Sequence, residues 1–146
     1  MAGYLDQYGA GEERRERLIK ITVVSIVALI IAGGALYFIF RNYRQEQRVK
    51  AFFQLLEAKD YQSAYVLWGC TQQTPCRDYP LSAFMEDWGP QGRAGSVNQH
   101  DIVRSRSCGS GVIITVGLAN HQEKLWVERD SLTIGFSPWP SCPPGR

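Results

Sequence analysis

Residues 21–40 read ITVVSIVALIIAGGALYFIF and carry no charged side chain. Twelve of the twenty are Ile, Val, Leu or Phe. At a rise of about 1.5 Å per residue, a helix of this length spans roughly 30 Å, the thickness of a bilayer's hydrocarbon core. Each large aliphatic contributes about −0.3 to −0.6 kcal/mol to insertion. Together they outweigh Thr22, Ser25, Gly33, Gly34 and Tyr37. A chain of 146 residues is too short to surround a helix that is apolar on every side. In lipid the backbone must satisfy its own hydrogen bonds, so the run is expected to be one transmembrane helix over 18–41.

A cleaved signal peptide has an apolar region of about 7–15 residues that ends in a small-x-small site. Here the small residues Ala32, Gly33, Gly34 and Ala35 are followed by more apolar residues, so an uncleaved signal anchor fits better. Its flanks do not orient it. Arg14, Arg15, Arg17 and Lys20 precede the run, and Arg41, Arg44, Arg48 and Lys50 follow it. Equal numbers of Lys and Arg on both sides leave the positive-inside rule undecided. Ser25, Ala28, Ala32 and Ala35 lie near one face, where small side chains let a second helix approach.

Orientation therefore rests on the cysteines. Cys70, Cys76, Cys108 and Cys142 all follow the apolar run. An even number on one side of a membrane points to an oxidising compartment. Three connectivities are open, and Cys70–Cys76 with Cys108–Cys142 is favoured. The first closes a short loop already bent by Pro75; the second ties the sheet region to the Pro-rich tail. Zinc sites and thioredoxin-like pairs use closer spacings than C-x5-C, so metal or redox chemistry is disfavoured. The N-terminus is then cytoplasmic and the C-terminal domain periplasmic, in a bacterial inner membrane. The net charge of +2 gives no electrostatic ground for a nucleic-acid partner.

The periodicities outline the rest. Residues 1–17 are expected as a cytoplasmic tail, with the charge-dense stretch 12–20 extending the membrane helix as a solvated segment, 42–48 as a polar juxtamembrane helical extension, 49–142 as an extracytoplasmic domain and 143–146 as a tail. Val49, Phe52, Phe53 and Leu56 follow i, i+3, i+4, i+7 and mark an amphipathic helix. Asp60 is a candidate N-cap for a helix over 61–68, ended by Gly69. Pro80 opens a third short helix over 81–88, stopped by Gly89 and Pro90. From Asp101 onward, β-branched runs separated by Gly109-Ser110-Gly111, by 120–123 and by Asp130-Ser131 read as short strands in an antiparallel meander, with strands over 101–107, 112–118, 124–129 and 132–136. The expected class is α+β: two to three helices packed on a three- to four-stranded antiparallel sheet.

Residues 49–69, VKAFFQLLEAKDYQSAYVLWG, resemble the opening of the nuclear-transport-factor-like, or cystatin-like, superfamily. Members carry a Phe-Phe pair in the first helix, a turn like Ala58-Lys59-Asp60, an Ala-Tyr helix like Ala64-Tyr65 and a short helix centred on a residue like Phe84. The layout also resembles uncharacterised bacterial single-pass membrane proteins. The resemblance implies a fold and a location, and a cleft between sheet and helices that is reduced in a chain with fewer strands.

No reaction is visible. His100 and His121 fall in predicted loops, Glu86 and Asp87 point in different directions, and Gly109-Ser110-Gly111 lacks the Lys-Ser/Thr of a phosphate loop. No catalytic residue, metal or cofactor is expected. Trp68, Trp88 and Trp126 are expected in the core, and Trp139 either folds back on the sheet or reaches a partner. The leading expectation is a membrane-anchored binding or scaffolding protein, an accessory to an envelope complex, that meets protein partners through its membrane helix or its domain. One alternative is a ligand-binding cleft lined by Phe53, Tyr65, Trp88 and Trp126; another is an enzyme with an acid/base residue in that cleft.

Overall fold

The computed structural model describes residues 6–143, with side chains from Arg14 onward. Residues 1–5 and 144–146, parts of the two expected tails, lie outside the described residues. The chain divides into two compact units, Met1–Arg41 and Asn42–Arg146.

The first unit is helix α1, Asp6–Phe40. It begins well before the expected membrane segment and takes in most of the expected tail. Helix propagation from an established nucleus adds one hydrogen bond per residue fixed. Mixed charges at i, i+4 support the extension, as in the 3.5 Å ion pair between Lys20 and Glu16. The apolar side chains of α1 have no protein around them, and the stretch is long and apolar enough to cross a membrane.

The second unit runs α2 (Tyr43–Glu57), α3 (Tyr61–Val66), α4 (Leu81–Trp88), β1 (Asp101–Cys108), β2 (Gly111–Gly117), β3 (Gln122–Glu128) and β4 (Ile134–Phe136). It is an α+β arrangement, and its sheet is an antiparallel meander in the order β1-β2-β3-β4. The polar stretch 42–48, expected as an extension, supplies the first turns of α2. Gln45 is only 3% exposed there, and the Ser107 hydroxyl donates a 2.7 Å hydrogen bond to Asn42 Oδ1.

Local chemistry sets the element ends. The Asp60 carboxylate accepts the Ser63 N–H at 3.1 Å and caps α3; hydrogen bonding from the Ser63 side chain, and then from this N–H, holds its pKa below the usual carboxylate range. The helix expected to reach residue 68 ends at Val66 because its last turn tightens into i→i−3 bonds, Trp68 N–H to Tyr65 C=O and Gly69 N–H to Val66 C=O. Gly69 then takes φ +80°, open to glycine without a Cβ clash. β4 starts two residues later than expected. Leu132 sits at φ +56° in a turn, its N–H bonded to Glu128 C=O.

The helices pack on one face of the sheet. Val49, Phe52, Phe53 and Leu56 are buried as the heptad-like spacing requires, and they meet Val112, Ile114, Val116, Leu125, Val127 and Ile134 in one cluster. Phe52 is its centre. Its ring lies edge-on to Trp88 at 5.1 Å and to Phe84 at 6.2 Å, and it also meets Trp68 at 6.2 Å. β2, the longest apolar run of the sheet, is buried on both sides. Ile113 and Thr115 are covered on the face away from the helices. Removing the central ring leaves a cavity that its neighbours cannot collapse to fill. Phe52→Ala is expected to cost about 3–5 kcal/mol, read as a lower denaturant midpoint of the full-length protein in detergent by near-UV circular dichroism.

Candidate functional site

The four residues expected to line a cleft do not converge on one: three meet in the core and the fourth lies on the other face of the sheet. Phe53, Tyr65 and Trp88 belong to the closed core. Phe53 is edge-on to Trp88 at 5.9 Å and stacks on the His100 ring at 4.6 Å. The Tyr65 hydroxyl donates to Tyr79 C=O at 2.7 Å and accepts the Cys76 N–H at 3.1 Å, fixing the loop between α3 and α4. Trp126 lies on the opposite side of the sheet, because alternation along β3 turns Leu125 and Val127 inward and Trp126 outward. Its expected place in the core is therefore corrected. Its ring covers Gly111, where any side chain would collide with it, and its indole N–H donates to Glu128 Oε2 at 2.8 Å.

Trp139 folds back. Its ring meets Trp126 edge-on at 5.6 Å and remains 42% exposed. The tail is held there by Ser137 N–H to Lys124 C=O, by Lys124 Nζ to Pro140 C=O at 2.7 Å, and by the Cys108–Cys142 pair. That pair and Cys70–Cys76 stand at Cα separations of 5.6 and 5.3 Å, the connectivity favoured from spacing.

Two concavities of the domain gather charged side chains from separate elements. The smaller, of about 230 Å³, is lined by Asp87, Trp88, Arg93, Ala94, Glu123 and Phe136. The Tyr79 hydroxyl donates to Asp87 Oδ2 at 2.8 Å, and Arg93 Nε stands 3.5 Å from Asp87 Oδ1. Both carboxylate oxygens of Asp87 are thus engaged by the protein itself. The neighbouring Glu86 is exposed, so the sequence-adjacent carboxylates do different things. The larger concavity, of about 680 Å³, runs between α2 and β1 and is lined by Glu46, Lys50, Gln54 and Glu57 on one side and by residues 100–105 on the other. His100 opens it, with Nδ1 3.0 Å from Val97 C=O and 3.3 Å from Glu57 Oε1. His121 pairs with Glu123 at 3.2 Å, and Asp101 is exposed. Among the described residues, no three metal-ligating side chains converge.

Neither concavity was legible in advance. Tyr79, Asp87 and Arg93 are brought together by the loop between α3 and α4 and by the turn after α4, and no spacing in the sequence signals that meeting. The α2–β1 groove follows from which strand ends the sheet. The chain matches no protein family, no curated protein and no solved structure.

Burial pushes the Tyr79 phenol well above the usual tyrosine range, and the hydrogen bond to Asp87 and that group's negative charge push it further. A raised folded-state value stabilises the fold fully below the unfolded tyrosine value of about 10 and is lost as pH rises beyond it. Wild type is therefore expected to lose stability above about pH 10. Tyr79→Phe should be less stable at neutral pH by about 1 kcal/mol, the low end for a half-buried bond to a charged group. It should also decline less steeply in alkali, as measured by denaturant midpoints across pH.

Proposed function

We propose that the protein is an uncleaved signal-anchor protein of the bacterial inner membrane. In this reading α1 crosses the bilayer once with its N-terminus in the cytoplasm, and the α+β domain stands in the periplasm. The domain serves as a binding or scaffolding module, an accessory to an envelope complex, and it is a reduced relative of the nuclear-transport-factor-like fold. The observation that carries the reading is the pairing of an apolar, uncovered helix with a domain whose cysteines all stand at disulfide distance. Cystines persist outside the cytoplasm, and an exposed twenty-residue apolar run needs lipid.

The binding role draws on how the domain is filled. Phe52, Trp68, Phe84 and Trp88 occupy the space between helices and sheet where the larger relatives of such a fold keep a cleft. What the domain offers is surface: the α2–β1 groove and the Trp126–Trp139 face. A second reading, a small-ligand site, draws on the 230 Å³ concavity, where Asp87, Arg93 and Glu123 converge beside Trp88 and Phe136.

Thiol labelling of intact cells tests the topology. A membrane-impermeant maleimide is expected to leave the protein unlabelled, and to label it after a reductant is added while the inner membrane stays sealed. Labelling without reductant, and only once the inner membrane is opened, would contradict the reading. Cross-linking in the same cells, followed by mild detergent extraction, is expected to trap adducts of the domain; a protein recovered only as an uncross-linked single chain would oppose a scaffolding role.

A further inference from the structure

The two edges of the sheet differ. β4 has three residues, and β1 has eight. β1 is hydrogen-bonded to β2 on one side, and its other side faces the open α2–β1 groove. A long edge strand exposes backbone donors and acceptors that can template another strand. The side chains of β1 carry a second signal. Its register with β2 slips between Ile102 and Arg104, which inserts Val103 as an extra residue. Val103 is 53% exposed, and its Cγ2 lies 3.2 Å from where a Cβ on Gly117 would stand, which puts it on the face away from the helices. Arg104 is on that same face, opposite Thr115.

The bulge makes residues 101–106 palindromic. Asp101, Val103, Arg104 and Arg106 are exposed, whereas Ile102 and Ser105 are half-buried. An antiparallel strand of identical sequence, paired so that 101 meets 106, 102 meets 105 and 103 meets 104, matches exposed with exposed and half-buried with half-buried at every position. Shifting the pairing by one residue in either direction sets inward against outward side chains. In the matching register Asp101 faces Arg106, once on each side of the two-fold axis. Neither residue forms an ion pair among the described residues.

We propose that β1 pairs antiparallel with β1 of a second copy of this chain, about a two-fold axis between residues 103 and 104, with Asp101 of each copy against Arg106 of the other. The two four-stranded sheets then join into one. Directly opposed residues in an antiparallel pair have Cβ atoms about 4.5–5.5 Å apart, within reach of an Asp–Arg bond. The Arg104 stem covers the exposed Val103 of the other copy and leaves its guanidinium in water. An isologous contact of this kind closes on itself and leaves no free β1 edge. The proposal concerns the domain alone and stands whichever side of a membrane carries it.

The test is a charge swap in the full-length protein, with its mass measured in detergent micelles over a range of concentrations. Wild type is expected to dimerise. Asp101→Arg and Arg106→Asp each turn two opposite-charge contacts into two like-charge ones, and each should weaken dimerisation by about tenfold or more. The double variant D101R/R106D restores both contacts and should recover the wild-type dimer. Both positions are exposed, and recovery in the double variant separates lost pairing from lost folding. A monomer at every concentration would overturn the proposal and identify the bulge and arginines as protection of a free edge. A dimer indifferent to the single reversals, as expected of contacts through α1, would overturn it too, as would failure of the double variant to recover.

Discussion

An apolar side chain must be taken out of water, and the two units of this chain meet that demand in opposite ways. The domain does so from within, by closing three short helices over one face of a sheet. Helix α1 has no internal means, since its aliphatic side chains all point away from the axis with no protein to receive them. A helix of that kind depends on an apolar solvent. Every other inference about the protein's place follows from this dependence. In the proposed reading the bilayer confines the domain to one of two compartments, and the cysteines at disulfide distance favour the oxidising one.

Within the domain the aromatic side chains decide what kind of surface is left. Phe52, Phe84, Trp68 and Trp88 meet in edge-on or tilted contacts, and Tyr79 and Phe136 extend the cluster to the end of the sheet. So many large rings in so small a domain fill the space between helices and sheet. Chemistry in such a domain is displaced to its periphery: the Asp87–Tyr79–Arg93 cluster, the open groove along β1, and the tail strapped over Trp126. The strap shows how few contacts can order an extended Pro-rich segment. One cystine, one backbone bond from Ser137 to Lys124, one lysine bond to a carbonyl and one indole contact hold residues 137–142 against the outer sheet face.

Much of this fold could be read from side-chain order alone, because period and punctuation are local. The 49/52/53/56 spacing, the Asp60 cap, the Gly69 and Gly89 stops and the β-branched runs each act over a few residues. The elements shifted where the deciding contact was a turn: Leu132 in a left-handed conformation delays β4, and i→i−3 bonds shorten α3. The mixed charges over 12–20 stand at helical spacing and mark an extension of the apolar helix, and α1 runs through them, starting at Asp6. The site fared worse. Grouping Phe53, Tyr65, Trp88 and Trp126 by chemical type ignored the alternation of β3, which sends Trp126 to the other face. The meeting of Tyr79 with Asp87, and the bulge that turns Val103 and Arg104 the same way, depend on chain segments whose separation in sequence carries no signal.

The claim on which location and role both rest is that α1 is held in a bilayer with the domain on its outer side. Spheroplasts and inverted inner-membrane vesicles, washed with alkaline carbonate and treated with protease, measure this directly. The account predicts that the protein stays with the membrane through the wash, that protease removes the domain from spheroplasts, and that the domain survives intact in the inverted vesicles. Release into the wash, or a domain cleaved only in inverted vesicles, would contradict it.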